Sequence, residues 1–225
     1  MHPAKLCLAA ACVFAAASKP IAAQGFDGVI QFVSHEKDSN EADTLTQMTK
    51  GSKIRFEGMG REGGAMIIDG NNRIILVPDR KQYVNMPADF GREAAGAESA
   101  KHHGVATKTG KMENIAGIPC EDWHYKGTDD DGKAEEGEVC VAKGAGMMIS
   151  RLSGGMSQHI FDAGGQAFND AMNNGGGIMK VTNNGKLALI AVRAQATSLP
   201  DAMFAPPAGY TKMDMPGMGG RPHKP

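Results

Sequence analysis

The chain has 225 residues, with 24 basic and 25 acidic side chains, 30 glycines, 15 methionines and one tryptophan. That length suits one domain or two very small ones. A net charge of −1 lacks the dense basic footprint that binding a phosphate backbone requires, and the composition excludes a collagen, a coiled coil and, beyond the N-terminus, a membrane-spanning protein.

Residues 1–23 read as a secretory signal peptide. Lys5 supplies the positive start, Leu6 to Ala17 is an apolar run, and small residues lead to cleavage after Ala23. The run is too short to cross a bilayer as a stable helix. Ala9-Ala10-Ala11-Cys12 lacks the leucine of a lipoprotein box. A signal this short and simple suits Gram-negative export, which places the mature chain in the periplasm with no membrane span. Cleavage removes Lys5 and Lys19 and no acidic residue, so the net charge moves from −1 to −3. It also removes Cys7 and Cys12, leaving Cys120 and Cys140. Two cysteines in an oxidising compartment predict one disulfide.

The mature chain opens with strands. Residues 26–33 (FDGVIQFV) put Phe26, Ile30 and Phe32 on one face, and 42–48 is a weaker strand. Residues 53–57 (KIRFE) alternate with Ile54 and Phe56 inward. Residues 65–69, 73–77 and 81–86 follow, separated by Gly70-Asn71-Asn72 and Pro78-Asp79-Arg80. Such spacing predicts a meander of hairpins. The polar stretch 87–107 has no clear period and reads as a loop containing His102 and His103.

The second half begins with a hairpin. Residues 120–126 (CEDWHYK) turn through Thr128 to Gly132 and return as 135–142 (EEGEVCVA). A turn centred on Asp130 sets Cys120 opposite Cys140, within the reach of a cross-strand disulfide. That register puts Asp122, His124 and Glu138 on a solvent-side face, and Trp123 and Tyr125 inward. Helices are expected over 145–152 and 158–172. The second has Ser157 as N-cap and a stripe of Phe161, Phe168 and Met172, weakened by Gly164-Gly165. Residues 178–182, Asn183-Asn184-Gly185 and 186–196 form a closing hairpin on a strong turn signal.

Four stretches carry a resemblance. They are Lys53-Ile54-Arg55-Phe56-Glu57, residues 74–83 (IILVPDRKQY), Thr109-Gly110-Lys111 through Ile115-Ala116-Gly117-Ile118-Pro119-Cys120-Glu121-Asp122-Trp123, and Leu199-Pro200-Asp201 with residues 204–210 (FAPPAGY). Together they resemble an exported bacterial family labelled domain of unknown function 4412. The resemblance implies a lipoprotein-carrier (LolA-like) fold of α+β class: a strongly curved antiparallel β-sheet, a half-open barrel, with helices covering the concave side. It implies no reaction.

Chemistry-bearing motifs are sparse. No Gly-x-Ser-x-Gly elbow or phosphate loop is present, so the sequence supports no enzyme. Asp129-Asp130-Asp131 lacks the alternating ligand spacing of a calcium loop and reads as a solvated hairpin tip. The histidines have no ligand spacing. Met213, Met215 and Met218 in the tail offer soft thioethers to Cu(I), and Met147, Met148 and Met156 would add to them. Phe32, Phe56, Trp123, Tyr125, Phe161, Phe168 and Met172 either fill a core or line an apolar cavity under weak helices.

These readings combine as a signal peptide (1–23), one curved-sheet domain (24–212) and a flexible tail (213–225). The expected function is a non-catalytic periplasmic protein, without cofactor, that binds an apolar or lipidic ligand or an envelope partner. The alternatives are copper binding by the tail, and an envelope structural or stress module without a small ligand.

Overall fold

The computed structural model describes residues 25–35, 41–59, 63–86, 104–128, 133–147 and 165–213. Among them run twelve strands: β1 (Gly28–His35), β2 (Ala42–Lys50), β3 (Lys53–Met59), β4 (Gly64–Asp69), β5 (Asn72–Val77), β6 (Gln82–Met86), β7 (Gly104–Ile115), β8 (Ile118–Thr128), β9 (Ala134–Lys143), β10 (Gly176–Asn183), β11 (Lys186–Ala196) and β12 (Thr211–Lys212). One α-helix, α1 (Gly165–Asn173), precedes β10. The strands form a single sheet in the order β12-β6-β5-β4-β3-β2-β1-β11-β10-β9-β8-β7. All neighbours are antiparallel except β12, which lies parallel to β6.

The order follows from local chemistry. Five hairpins link β1 through β6 in sequence, and the chain then restarts at the far edge with β7. The return to β1 comes from β11, whose hairpin with β10 turns on Asn184 and Gly185 at φ 48° and 76°. These are the left-handed conformations that an Asn-Gly hairpin turn needs. The sheet bends so that β7 and β11, four strands apart in the order, come within 8 Å.

Register divides the side chains into two faces. Pairing carries Phe32 to Ala191, Leu189 through Val181 to Val139, and Val139 to Trp123. The same face holds Ile30, Ile54 and Phe56, and these residues belong to the main core. The opposite face carries Met48, Ala65, Ile67 and Leu76 under Leu199 and Phe204. The segment after β11 is fastened there by Arg55, which donates to the Met203 carbonyl at 2.9 Å, and by Lys50 and Lys53 on Asp201, each at 3.1 Å. β12 then adds its short parallel pairing to β6.

Several expectations are corrected. The α+β class with helices covering the concave side gives way to a predominantly β architecture with one α-helix among the described residues. Residues 145–147 are not helical. Met147 pairs with Ile178 instead, and Gly146 lies at φ 96° on the backbone of Gly177, where a Cβ would stand 2.7 Å from a carbonyl carbon. The helix expected over 158–172 is present where it is described, from Gly165 to Asn173; residues 158–164 lie outside the described residues. The loop expected over 87–107 ends at Gly104, where β7 begins, a strand that the sequence reading does not contain. The signal-peptide segment, His102, His103, Asp129 to Gly132, Met148, Met156, Ser157, Phe161 and the tail after Met213 lie outside the described residues.

Candidate functional site

The aromatic set comes first. Phe32, Phe56 and Phe168 are 0% exposed, Met172 is 1%, Trp123 is 2% and Tyr125 is 6%. All six belong to the main core. Phe168 reaches from α1 to meet Trp123 edge-on, with ring centroids 5.3 Å apart and planes at 81°. Tyr125 donates its hydroxyl to Oδ1 of Asn183. Burial pushes that hydroxyl up to about 12, with the Glu135 carboxylate adding to the shift. The fully buried Gln47 also stands on this face, donating to the Gly146 carbonyl at 2.9 Å and to Thr49 Oγ1 at 3.2 Å. A small recess of about 100 Å³ lies elsewhere, on the outer side of β1 and β11, lined by Val29, Gln31, Arg193 and Gln195.

The cysteine pair forms as expected but in a different register. Cys120 and Cys140 are bonded, with Cα atoms 5.4 Å apart. The β8–β9 hairpin pairs Asp122 with Cys140, and Trp123 with Val139, so Cys120 is not directly opposite Cys140. The strand register is shifted from the expected one, and the disulfide is diagonal. The face also differs from the expectation: Cys120, Asp122 and Cys140 are 1%, 1% and 0% exposed, so this part of the face is buried, while Glu138 near the hairpin tip is exposed.

Around the disulfide the sheet assembles charge. Glu113 of β7 lies opposite Cys120, as Asp122 lies opposite Cys140, so each cysteine has a carboxylate as cross-strand partner. Lys180 pairs with Cys140 from the other side and reaches Glu113 at 2.6 Å. Lys111 donates to the other Glu113 oxygen at 2.6 Å and lies 3.1 Å from Oδ2 of Asp122. The lysines hold the Glu113 carboxyl down to about 2, with Lys111 first and Lys180 second, against the opposing effect of burial. Hydrogen bonds to Glu113 and Asp122 in turn push the Lys111 ammonium above its usual range.

Among the described residues, Asp122 and Arg73 carry buried side-chain atoms without a hydrogen-bond partner, and Asp122 is the one beside the disulfide. Its Oδ1 is buried and has no hydrogen-bond partner. A desolvated carboxylate oxygen left that way costs roughly 1–3 kcal/mol or more. One oxygen each of Glu113 and Asp122, together with Sγ of Cys140, lie within 4.8 Å of one another. While the disulfide holds, that sulfur is no thiolate and this set is not a metal site.

Sequence reasoning places Asp122 beside the cysteines but misses Lys111, Glu113 and Lys180. The available signal is the alternation of Lys111 and Glu113 before the Ala116-Gly117 turn, where φ is 52° and 83°. Of the tail methionines, only Met213 is described; its N–H donates to the Tyr83 carbonyl at 2.8 Å.

A predominantly antiparallel sheet stapled by one disulfide defines the class. Residues 26–210 match the family described as "Domain of unknown function (DUF4412)", and the chain belongs to it. A comparison with curated proteins finds no match to the sequence. Among solved structures, the chain is similar to an uncharacterized conserved protein from Thermus thermophilus. The identity is 12% and the TM-score 0.44, covering 82% of this chain and 88% of the other. It is similar at the same identity and TM-score to PNGF-II, covering 83% of this chain but only 30% of that one. Neither likeness carries an argument about activity.

Proposed function

We propose that this chain is an exported, non-catalytic β-scaffold of the cell envelope that works through its surface and encloses no apolar ligand. The supporting observation is the packing of the aromatic set. A lipid carrier needs open apolar volume of hundreds of cubic ångströms. The residues that would line it, Phe32, Phe56, Trp123, Tyr125, Phe168 and Met172, are instead buried members of one core cluster. A carrier role like that of the lipoprotein carriers would require those side chains to separate. The non-catalytic part rests on the sequence, which carries no nucleophile or phosphate-loop motif. Export rests on the signal peptide, and the disulfide is consistent with it.

The test is purification of the mature protein from its native envelope under mild conditions, followed by native mass spectrometry and titration with a fluorescent acyl probe. The expected result is a bare polypeptide mass beginning after Ala23 and no saturable probe binding. A stoichiometric lipid adduct would overturn the reading. A second arm fractionates cells and alkylates thiols. Recovery in the cytoplasm as the uncleaved chain with all four cysteines alkylated would remove the export assignment.

A further inference from the structure

We propose that Cys120, Cys140, Asp122 and Glu113 form a redox-gated site for a thiophilic divalent cation, closed while the disulfide is intact and able to take Zn²⁺ once it is reduced. Strand register brings the four donors together. Two cysteines each face a carboxylate across a strand pair, Glu113 with Cys120 and Asp122 with Cys140, so four donors converge from three adjacent strands. Donor atoms of Glu113, Asp122 and Cys140 already lie within 4.8 Å of one another. A tetrahedral zinc shell with bonds of about 2.0–2.3 Å separates its donors by roughly 3.5 Å. The shift needed to close that shell is therefore of ångström size and lies within the reach of side-chain rotation.

Asp122 is left short of a partner in the oxidised chain. Its side chain is 2% exposed, and its Oδ1 has no hydrogen-bond partner. Buried polar atoms are nearly always satisfied, and an exception calls for an explanation. A divalent ion held between this oxygen and a freed sulfur would satisfy it.

The two lysines differ in their freedom to move. Lys111 brings a positive charge to the two carboxylates, but its side chain is 61% exposed. It sits where β7 departs from regular pairing, between Lys108 and Met112. It can leave for solvent when a cation arrives. Lys180 is only 13% exposed and stays on Glu113, where it offsets part of the charge of two thiolates and two carboxylates.

The chemistry balances through an external dithiol. Exchange breaks the Cys120–Cys140 bond, passes two electrons to the protein sulfurs and releases the dithiol as its own disulfide. Two thiols remain on the chain. Binding Zn²⁺ then deprotonates both, and the two protons go to solvent.

The experiment titrates Zn²⁺ into the mature chain, oxidised or reduced with a phosphine that does not itself supply a thiol. The reduced chain is expected to bind one ion at least about 100-fold more tightly than the oxidised chain, with cobalt substitution giving thiolate-to-metal absorption. Asp122→Asn is expected to weaken the reduced chain's binding about tenfold or more, and Cys140→Ser to abolish the absorption. Near-UV circular dichroism is recorded for every variant. Equal affinity of the two redox forms would overturn the proposal, as would Asp122→Asn binding like the parent, or a reduced chain that unfolds and takes up no metal. An Asp122→Asn variant too unstable to titrate is replaced by Glu113→Gln, for which unchanged affinity also overturns it.

Discussion

Replacing Phe168 with alanine separates a packed core from a ligand cavity under a lid. Phe168 is fully buried on α1, and its ring meets the edge of Trp123 at 5.3 Å. Truncating a fully buried phenylalanine costs about 3–5 kcal/mol, of which the edge-on pairing with the tryptophan ring accounts for about 0.5–1.5 kcal/mol beyond area burial. The helix has little means of compensating. It is 9 residues long, and its buried residues are Phe168 and Met172; isolated helices of that length do not hold in water. Phe168→Ala is therefore expected to lower global stability by at least about 3 kcal/mol. At roughly 2–4 °C per kcal/mol for a chain of this size, the melting temperature should fall by about 6 °C or more. The assay is urea unfolding followed by fluorescence. Trp123 is the chain's one tryptophan, so the signal comes from the truncated pair itself. The denaturant midpoint should move with the slope unchanged. A loss below about 1 kcal/mol, with Trp123 already exposed in the folded variant, would refute the reasoning. It would mean that α1 opens locally, as a lid does.

Three further outcomes follow from individual interactions. Cys140→Ser opens a loop with a sequence separation of 20 and is expected to cost about 3 kcal/mol on chain-entropy grounds; a urea midpoint unchanged from the oxidised parent would count against a stabilising bridge. Glu113 has a carboxyl lowered from 4.5 to about 2, so its contribution is complete above about pH 4.5 and is lost as pH falls through 2. Glu113→Gln should flatten that acid limb in urea midpoints measured between neutrality and about pH 2, and parallel curves for parent and variant would exclude the assignment. Gly137→Ala places a methyl 2.0 Å from the Thr182 carbonyl oxygen and 2.6 Å from the Tyr125 ring; it should destabilise by about 1–3 kcal/mol, and a neutral effect by thermal melting would contradict the close approach of β9 to β10.

Legibility tracks whether a strand has an apolar face. The alternation of Ile54 and Phe56 announces β3, and Asn184-Gly185 announces the β10–β11 hairpin; β11 spans Lys186–Ala196, the range read from the sequence. β7 escapes the sequence reading because it is an edge strand whose middle, Thr107 to Glu113, is mainly polar or charged and largely exposed. Periodicity cannot register such a strand; only pairing with β8 explains it. The same gap hides half of the charged cluster. Without an element for Glu113, nothing places it across from Cys120. The disulfide is legible from the cysteine count, but its register is not, because a shift of the turn by one residue changes every partner. The helix expected over 145–152 is overread at 145–147 for the opposite reason. Glycine and alanine between apolar residues mimic a helical stripe, yet Gly146 and Gly177 serve a backbone-to-backbone approach that a helix would prevent.

The two faces of the sheet therefore have unequal chemical freedom. On the face of Phe32, Phe56 and Trp123, the apolar side chains are satisfied by packing, and Gln47 by its hydrogen bonds to Gly146 and Thr49. On the other face, β2 to β6 are covered by the chain's own residues 199–210. In the region of β7, β8, β9 and β10, two carboxylates, two lysines and a disulfide are held together at the cost of an unsatisfied aspartate oxygen. A purely structural staple would need only the cysteines. That arrangement of charge around a reducible bond makes this the region where chemistry beyond packing is expected to reside.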